Sequence, residues 1–334
     1  MRRARWIIKP KPESRKPVIY HCISRVVNRD FVFQAAEKEQ LRMLMRMYEV
    51  FSGNRVLSYC FMSNHIHLLL EIVPAAPEGI SDGELLRRLR AINSEAQVAE
   101  VAEELEGARK AVAAGRADES LVKAIHARFT YRMHDLSQFM KSFMQRYTQW
   151  HNGRHRRKGR LWEDRFKSVI VESGIAARTM AAYIDLNPVR AKLVKKASDY
   201  RWSGWGAAQD GHKEAIAGLC DVTETKIAQW EEEGRRVYGK WLSVEENWEE
   251  LMSARDGTFP AAEEAEVGNF LMRTVRAFTC GMAVGSEAFV EAIFQSHRPH
   301  FGPRRETGGR FLDGETQRVV EGLLTLRDLR RAKA

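Results

Sequence analysis

Two strand-forming runs, residues 55–62 and 65–73, are separated only by Ser63-Asn64. So tight a connection makes them neighbours in one antiparallel sheet. They follow a helix-patterned stretch, 36–51, where Leu41, Leu44, Met47 and Tyr48 recur at helical spacing until Gly53-Asn54 stops it. Before that stretch lies another β-rich run, 18–27, closed by the turn residues Asn28-Arg29-Asp30. The order is β-α-β-β. Strand side chains alternate between faces, so His65 and His67 share one face and Ile66 takes the other. Two imidazoles side by side on a rigid strand supply two-thirds of a divalent-metal site. The plainer alternative is a pair of histidines hydrogen-bonded to their neighbours.

Pro74 and Pro77-Glu78-Gly79 then break the pattern. Residues 75–135 read as a charged, alanine-rich helical insert, with helices over 82–101 and 121–130 whose charged faces are solvated. Residues 136–150 form an amphipathic helix, since Leu136, Phe139, Met140, Phe143, Met144 and Tyr147 fall three and four apart. Tyr147 lies on that apolar stripe, which assigns it to the core. A basic stretch follows, with Arg154, His155, Arg156, Arg157, Lys158 and Arg160 between or beside Gly153 and Gly159, and Trp162 just after. A fourth strand is expected over 166–171, and a helix over 175–193, reshaped near Pro188. The fold class is therefore α+β: a ferredoxin-like βαββ-(insert)-αβα sandwich with an antiparallel sheet. This domain covers 15–206. Residues 207–334 read as a mainly helical C-terminal extension with helices over 222–238, 244–254, 262–278 and 286–296. The segment 262–296 is either a helix-turn-helix or a plain αα-hairpin around Cys280–Gly285, and the basic, glycine-rich 300–310 reads as a flexible arm.

The formal net charge of +10, with a pI near 9.5, suits a polyanionic partner, nucleic acid before an acidic membrane surface. Cys22, Cys60, Cys220 and Cys280 are scattered and make no CxxC pair, which speaks against a disulfide framework or a zinc finger and for a reducing cytosol. No apolar run reaches the ~18–20 residues a membrane span needs. The basic start, Arg2, Arg3 and Arg5, lacks the apolar segment of a signal peptide and reads as an arm that touches phosphates.

Further chemistry lies in Tyr183-Ile184-Asp185-Leu186-Asn187-Pro188-Val189-Arg190. Tyr183 sits on the 175–193 helix, and Asn187, four residues on, shares its face. A tyrosine near two metal-bound histidines suggests a phosphoryl-transfer nucleophile, with Asn187 the candidate third ligand. Taken alone, Tyr183 reads first as a core tyrosine, as a tyrosine on an amphipathic helix usually is.

The order of Tyr20–Arg25, Asn64–His67, Gly159–Ser168, Tyr183–Arg190 and Tyr200–Trp205 resembles the HUH-type single-tyrosine transposases, and within them the REP-associated tyrosine transposases of the IS200-like group. The resemblance covers about 15–206 apart from the insert. It implies a metal site on His65 and His67, occupied by Mg²⁺ or Mn²⁺. It also implies a tyrosine, here Tyr183, that cuts single-stranded or hairpin DNA and keeps the 5′-phosphate while a 3′-OH leaves. Many members supply a glutamine where this chain has the shorter Asn187. The expected setting is the cytoplasm, at the bacterial nucleoid, with no membrane partner and with a homodimer as one compatible assembly. Arg25, Arg154, Arg156, Arg157, Lys158, Arg160, Arg165 and Lys167 are the candidate DNA contacts. Trp162 either stacks on a base or seals the core. Two rivals stand beside this reading: a protein of the same fold that binds hairpins without cutting, and a metal hydrolase that uses water.

Overall fold

The β-branched and aromatic runs fold as strands, and the helix-patterned stretches fold between them. The computed structural model describes residues 6–10, 13, 15–243, 271–272, 276–312 and 322–326. β1 (Val18–Arg25) leads to α1 (Ala35–Ser52), then to β2 (Arg55–Phe61) and β3 (His65–Ile72). A reciprocal capping box between Gln34 and Glu37 opens α1, and Gly53, at φ 69°, ends it in the left-handed region that glycine adopts without strain. The insert holds three helices, α2 (Asp82–Arg90), α3 (Glu95–Ala113) and α4 (Glu119–Thr130). The single helix expected over 82–101 is broken because Ser94 caps a new one, its hydroxyl accepting from the Gln97 N–H. α5 (Leu136–Arg154) then leads to β4 (Lys167–Val171). Arg165 therefore lies in the turn before the strand rather than on it.

The helix expected over 175–193 is divided into α6 (Ile175–Asp185) and α7 (Asn187–Arg190), with Pro188 in the first turn of the second, where its missing N–H costs nothing. Beyond it come α8 (Gly204–Gln209), α9 (Lys213–Thr223), α10 (Arg235–Leu242), α11 (Arg276–Cys280), β5 (Ala283–Gly285), α12 (Glu287–Ser296), β6 (Arg310–Phe311) and β7 (Leu324–Leu326). The helix expected over 222–238 is interrupted at Glu224, which has φ 58°. The helix expected over 244–254 and most of that over 262–278 lie outside the described residues.

The sheet runs β2-β3-β1-β4-β5-β7-β6. Its first four strands are antiparallel in the ferredoxin-like order, and β5 joins β4 in parallel, making the whole sheet mixed. The protein is thus α+β with a βαββ start. Residues 283–285, expected as the turn of a helical pair, are a strand that extends the sheet, so the helix-turn-helix expectation is replaced. The extension adds strands as well as helices. Its 300–310 arm folds back on α12, where the Gly308 N–H donates to Glu291 Oε2 at 2.8 Å.

Alternation decides what each face carries. Tyr20, Cys22, Ile66, Leu68 and Leu70 point toward the layer of α1 and α5, which pack on each other. Tyr147 is in this layer, buried against Phe33, Trp150 and Trp162. The opposite face carries His21, Ile23, His67, Leu69 and Val169 and is covered by α6. Tyr200–Trp205 closes the β2 edge: the Phe61 N–H donates to the Trp202 carbonyl (3.0 Å), and the Tyr200 hydroxyl to the Phe61 carbonyl (2.7 Å). Among the described residues no helix is long and apolar enough to cross a membrane.

A candidate active site between the sheet and the tyrosine helix

β3 brings His65 and His67 to one face, their ring centroids 5.0 Å apart. His65 is fixed from its own hairpin turn. Asn64 donates through Nδ2 to the Arg29 carbonyl (2.9 Å), so its Oδ1 is the atom that accepts from His65 Nδ1 (2.7 Å). That bond leaves the proton on Nδ1 and a lone pair on Nε2. Burial, with Arg25 and Arg190 nearby, pushes the His65 pKa down to about 4. His67 is buried, and burial with its histidine and arginine neighbours also lowers its pKa, so both rings are neutral and able to ligate. His67 Nε2 is buried with no hydrogen-bond partner. An orphaned imidazole nitrogen beside a second ring whose Nε2 holds a lone pair fits a divalent cation.

α6 lays Tyr183 against this pair. Its ring meets His67 edge-on at 6.3 Å and His21 at 6.0 Å. The Arg190 guanidinium lies 4.3 Å from the centre of the Tyr183 ring. Burial raises the phenol pKa, and the Arg190 charge opposes that rise by favouring the phenolate. Tyr183 is 1% exposed, because Phe278 packs on it at 4.9 Å from α11. The same region anchors Arg190, whose Nη1 donates to the Leu271 carbonyl at 3.0 Å.

Asn187 is on the same face as Tyr183, as its spacing requires, yet its amide is engaged. Nδ2 donates to the Tyr183 and Ile184 carbonyls (3.1 Å each), and Oδ1 accepts from Arg190 Nη2 at 2.5 Å. Among the described residues no group of three His, Cys, Asp or Glu side chains converges to hold a metal. The donors present are the two histidines, with Asn187 Oδ1 within the same cluster through Arg190.

The cationic candidates divide by place. Arg25 is paired with His65 across β1 and β3, and Lys167 sits opposite Ile23, itself opposite His67, so both lie on the histidine face. Both side chains are exposed. The basic stretch after α5 sits at the same end of the sheet: the Val27 N–H donates to the Leu161 carbonyl, and the Glu163 N–H to the Arg25 carbonyl. Its first residues are tied to α1, with His155 Nε2 3.0 Å and Arg154 Nε 3.5 Å from the buried Glu37 carboxylate. Asn152 Nδ2 holds the loop through the Gly159 carbonyl at 3.0 Å. Arg156, Lys158 and Arg160 are exposed along it, and Arg157 is partly buried. Arg160 donates to the Glu163 carbonyl. Trp162 is partly buried against the core: its indole N–H donates to Thr148 Oγ1 (3.0 Å), and its ring packs on Phe33 and Tyr147.

One residue of the site escaped the sequence reading. His21 is wholly buried on β1, its Nε2 2.9 Å from His67 Nδ1 and its Nδ1 2.8 Å from the Phe278 carbonyl. Its two-residue spacing from Ile23 put it on the face opposite Cys22. What no local pattern contained was that β1 and β3 pair in the register that sets this face beside His67.

Residues 14–81 match the family model for IS200-like transposases, a segment that holds β1, α1, β2, β3, His65 and His67. No curated protein matches the chain. Among solved structures, a REP-associated tyrosine transposase bound to a REP hairpin aligns at 14% identity with a TM-score of 0.36, over 64% of this chain and 89% of that one.

Proposed function

We propose that the protein is a tyrosine-dependent DNA strand transferase that cuts single-stranded DNA beside a hairpin. The observation that carries this reading is the Tyr183 ring lying edge-on to His67, 6.3 Å away, although 116 residues separate them in the chain (183 − 67). The family match over 14–81 supports the same chemistry for the histidine strand.

His65 and His67 would hold Mg²⁺ or Mn²⁺, with Asn187 as third ligand once its oxygen exchanges Arg190 for the ion. When bound, such an ion polarises the scissile phosphate and lowers the charge repulsion met by an anionic nucleophile. The Tyr183 oxygen attacks phosphorus, the bond from phosphorus to the 3′-oxygen breaks, and a 5′-phosphotyrosine forms. The phenol proton is lost to solvent and the leaving 3′-oxygen takes one up, so protons balance. The energy of the phosphodiester stays in the new bond, and a 3′-OH attacking it reverses the reaction without ATP. Arg190 favours the phenolate before attack. Arg25 and Lys167 meet the strand's phosphates on the histidine face, and the 154–160 loop and Arg165 extend that contact. Because Tyr183 is covered, a strand reaches it only after the Phe278 ring swings away.

The test is incubation of the protein with labelled single-stranded hairpin oligonucleotides from the DNA flanking its gene, with Mn²⁺, beside a Tyr183→Phe control. A denaturant-resistant adduct that disappears in the control and with chelator supports the reading. Tight binding with no adduct points to a non-cutting hairpin binder, and cleavage that survives Tyr183→Phe points to a water-using nuclease.

A further inference from the structure

The Phe278 carbonyl, His21 and His67 form a hydrogen-bonded line whose proton positions are determined from one end. A carbonyl oxygen only accepts, so the proton of the 2.8 Å bond to Phe278 is on His21 Nδ1. His21 is wholly buried, and its ring nitrogens meet a carbonyl and a second imidazole, with no carboxylate hydrogen-bonded to it among the described residues to balance a charge, so the ring carries this one proton and no second. Its Nε2 is then an acceptor. The partner in the 2.9 Å bond, His67 Nδ1, must be the donor. A neutral His67 protonated at Nδ1 has its lone pair on Nε2, the atom left without a partner. An unperturbed neutral histidine side chain prefers the opposite tautomer, so this state needs a cause, and the line supplies it.

We propose that His21 is a positioning residue: held by the Phe278 carbonyl, it keeps His67 in the Nδ1–H tautomer and so presents Nε2 as the ligand atom. The metal role rests on the function proposed above, whereas the tautomer does not. His65 reaches the same state through Asn64, so the two ligand rings are oriented by separate partners. One is local to the hairpin turn. The other, His21, is itself held by a segment 257 residues from it in the chain. The docked C-terminal segment thus presets one ligand while its aromatic ring covers the tyrosine. Partners of this kind typically change metal affinity by about 10–100-fold when removed.

The experiment uses the full-length protein labelled with ¹⁵N-histidine and read by long-range ¹H–¹⁵N correlation in the absence of metal. His67 is assigned by its loss in His67→Gln. The expected result is an Nδ1–H His67 in the wild type and its loss in His21→Phe. It should be kept in His21→Gln, whose amide oxygen and N–H can replace both bonds of the imidazole. An Nε2–H His67 in the wild type, or an unchanged tautomer in His21→Phe, overturns the proposal. Because His21→Gln retains both hydrogen bonds, it keeps the comparison valid if His21→Phe is too unstable. Mn²⁺ binding without DNA, followed by electron paramagnetic resonance, is measured on the same samples. A roughly 10–100-fold weakening in His21→Phe, restored in His21→Gln, supports the ligand role. A wild type that shows the Nδ1–H tautomer but binds no Mn²⁺ sinks the metal reading and leaves the tautomer assignment standing.

Discussion

The Tyr238 hydroxyl on α10 donates to Asp185 Oδ2, 2.7 Å away at the end of the tyrosine helix. Asp185 is wholly buried and also accepts from the Ser58 hydroxyl (3.0 Å) and the Trp205 N–H (2.9 Å). One carboxylate thus ties β2, α8 and α10 to the residues that follow Tyr183. Replacing it with alanine strands buried donors, each worth about 1–3 kcal/mol. We expect Asp185→Ala to lose roughly 2–4 kcal/mol in urea unfolding, and Asp185→Asn, which keeps one acceptor oxygen, to lose less. Equal stability of the alanine variant would show that α10 does not depend on this bond.

Acid should unfold the protein from the histidine side. Burial pushes His21 and His65 from 6.5 down to about 4, and lowers His67 as well. A base with a depressed folded pKa contributes stability above its unfolded value and loses it as pH falls, here from about 6.5 toward 4. Asp185 runs the other way: burial raises it from 3.8 to about 6, so it adds stability as pH falls between those values. Several depressed histidines outweigh one raised carboxyl, and the urea midpoint should drop between about pH 7 and pH 5. A midpoint that rises over that interval contradicts the buried, neutral histidines.

α9 approaches the sheet closely enough to exclude a methyl group. A Cβ on Gly218 would lie 2.5 Å from the Val56 carbonyl oxygen and 2.6 Å from that of Leu57, where the β2–β3 register shifts. Gly218→Ala should therefore cost roughly 1–3 kcal/mol by overpacking. Thermal unfolding reads this, and a neutral effect would mean that α9 can move off β2.

Arg25 and Lys167 share the histidine face, so each should neutralise one phosphate of a bound strand. Arg25→Gln or Lys167→Gln should flatten the dependence of log affinity on log salt by about 0.7 per residue for single-stranded DNA. Fluorescence anisotropy with a hairpin oligonucleotide across a salt series measures this. Trp162→Phe should leave that affinity unchanged, because its indole N–H is spent on Thr148 and its ring on Phe33 and Tyr147. A loss of affinity there would restore the base-stacking role.

The βαββ order, the pairing of β2 with β3 and the shared face of His65 and His67 were all readable, because strand alternation and a two-residue connection are local. Tyr147 was assignable to the core for the same reason: it sits on an apolar stripe of regular spacing. The break at Ser94 was harder, since an N-cap works by one hydrogen bond inside an otherwise continuous helical pattern. The strand at Ala283–Gly285 was not legible, because three small apolar residues become a strand only when β4 offers a free edge.

Sequence by itself determined the α+β class, the histidine pair, and the common face of Tyr183 and Asn187, each a consequence of backbone periodicity. Tertiary structure decided which side chains meet. It set Tyr183 beside His67, packed Trp162 on Phe33 and brought the Phe278 carbonyl to His21. The physical reason is separation along the chain: these contacts join residues far apart in sequence, and strand register and helix packing create them only once the whole sheet has closed.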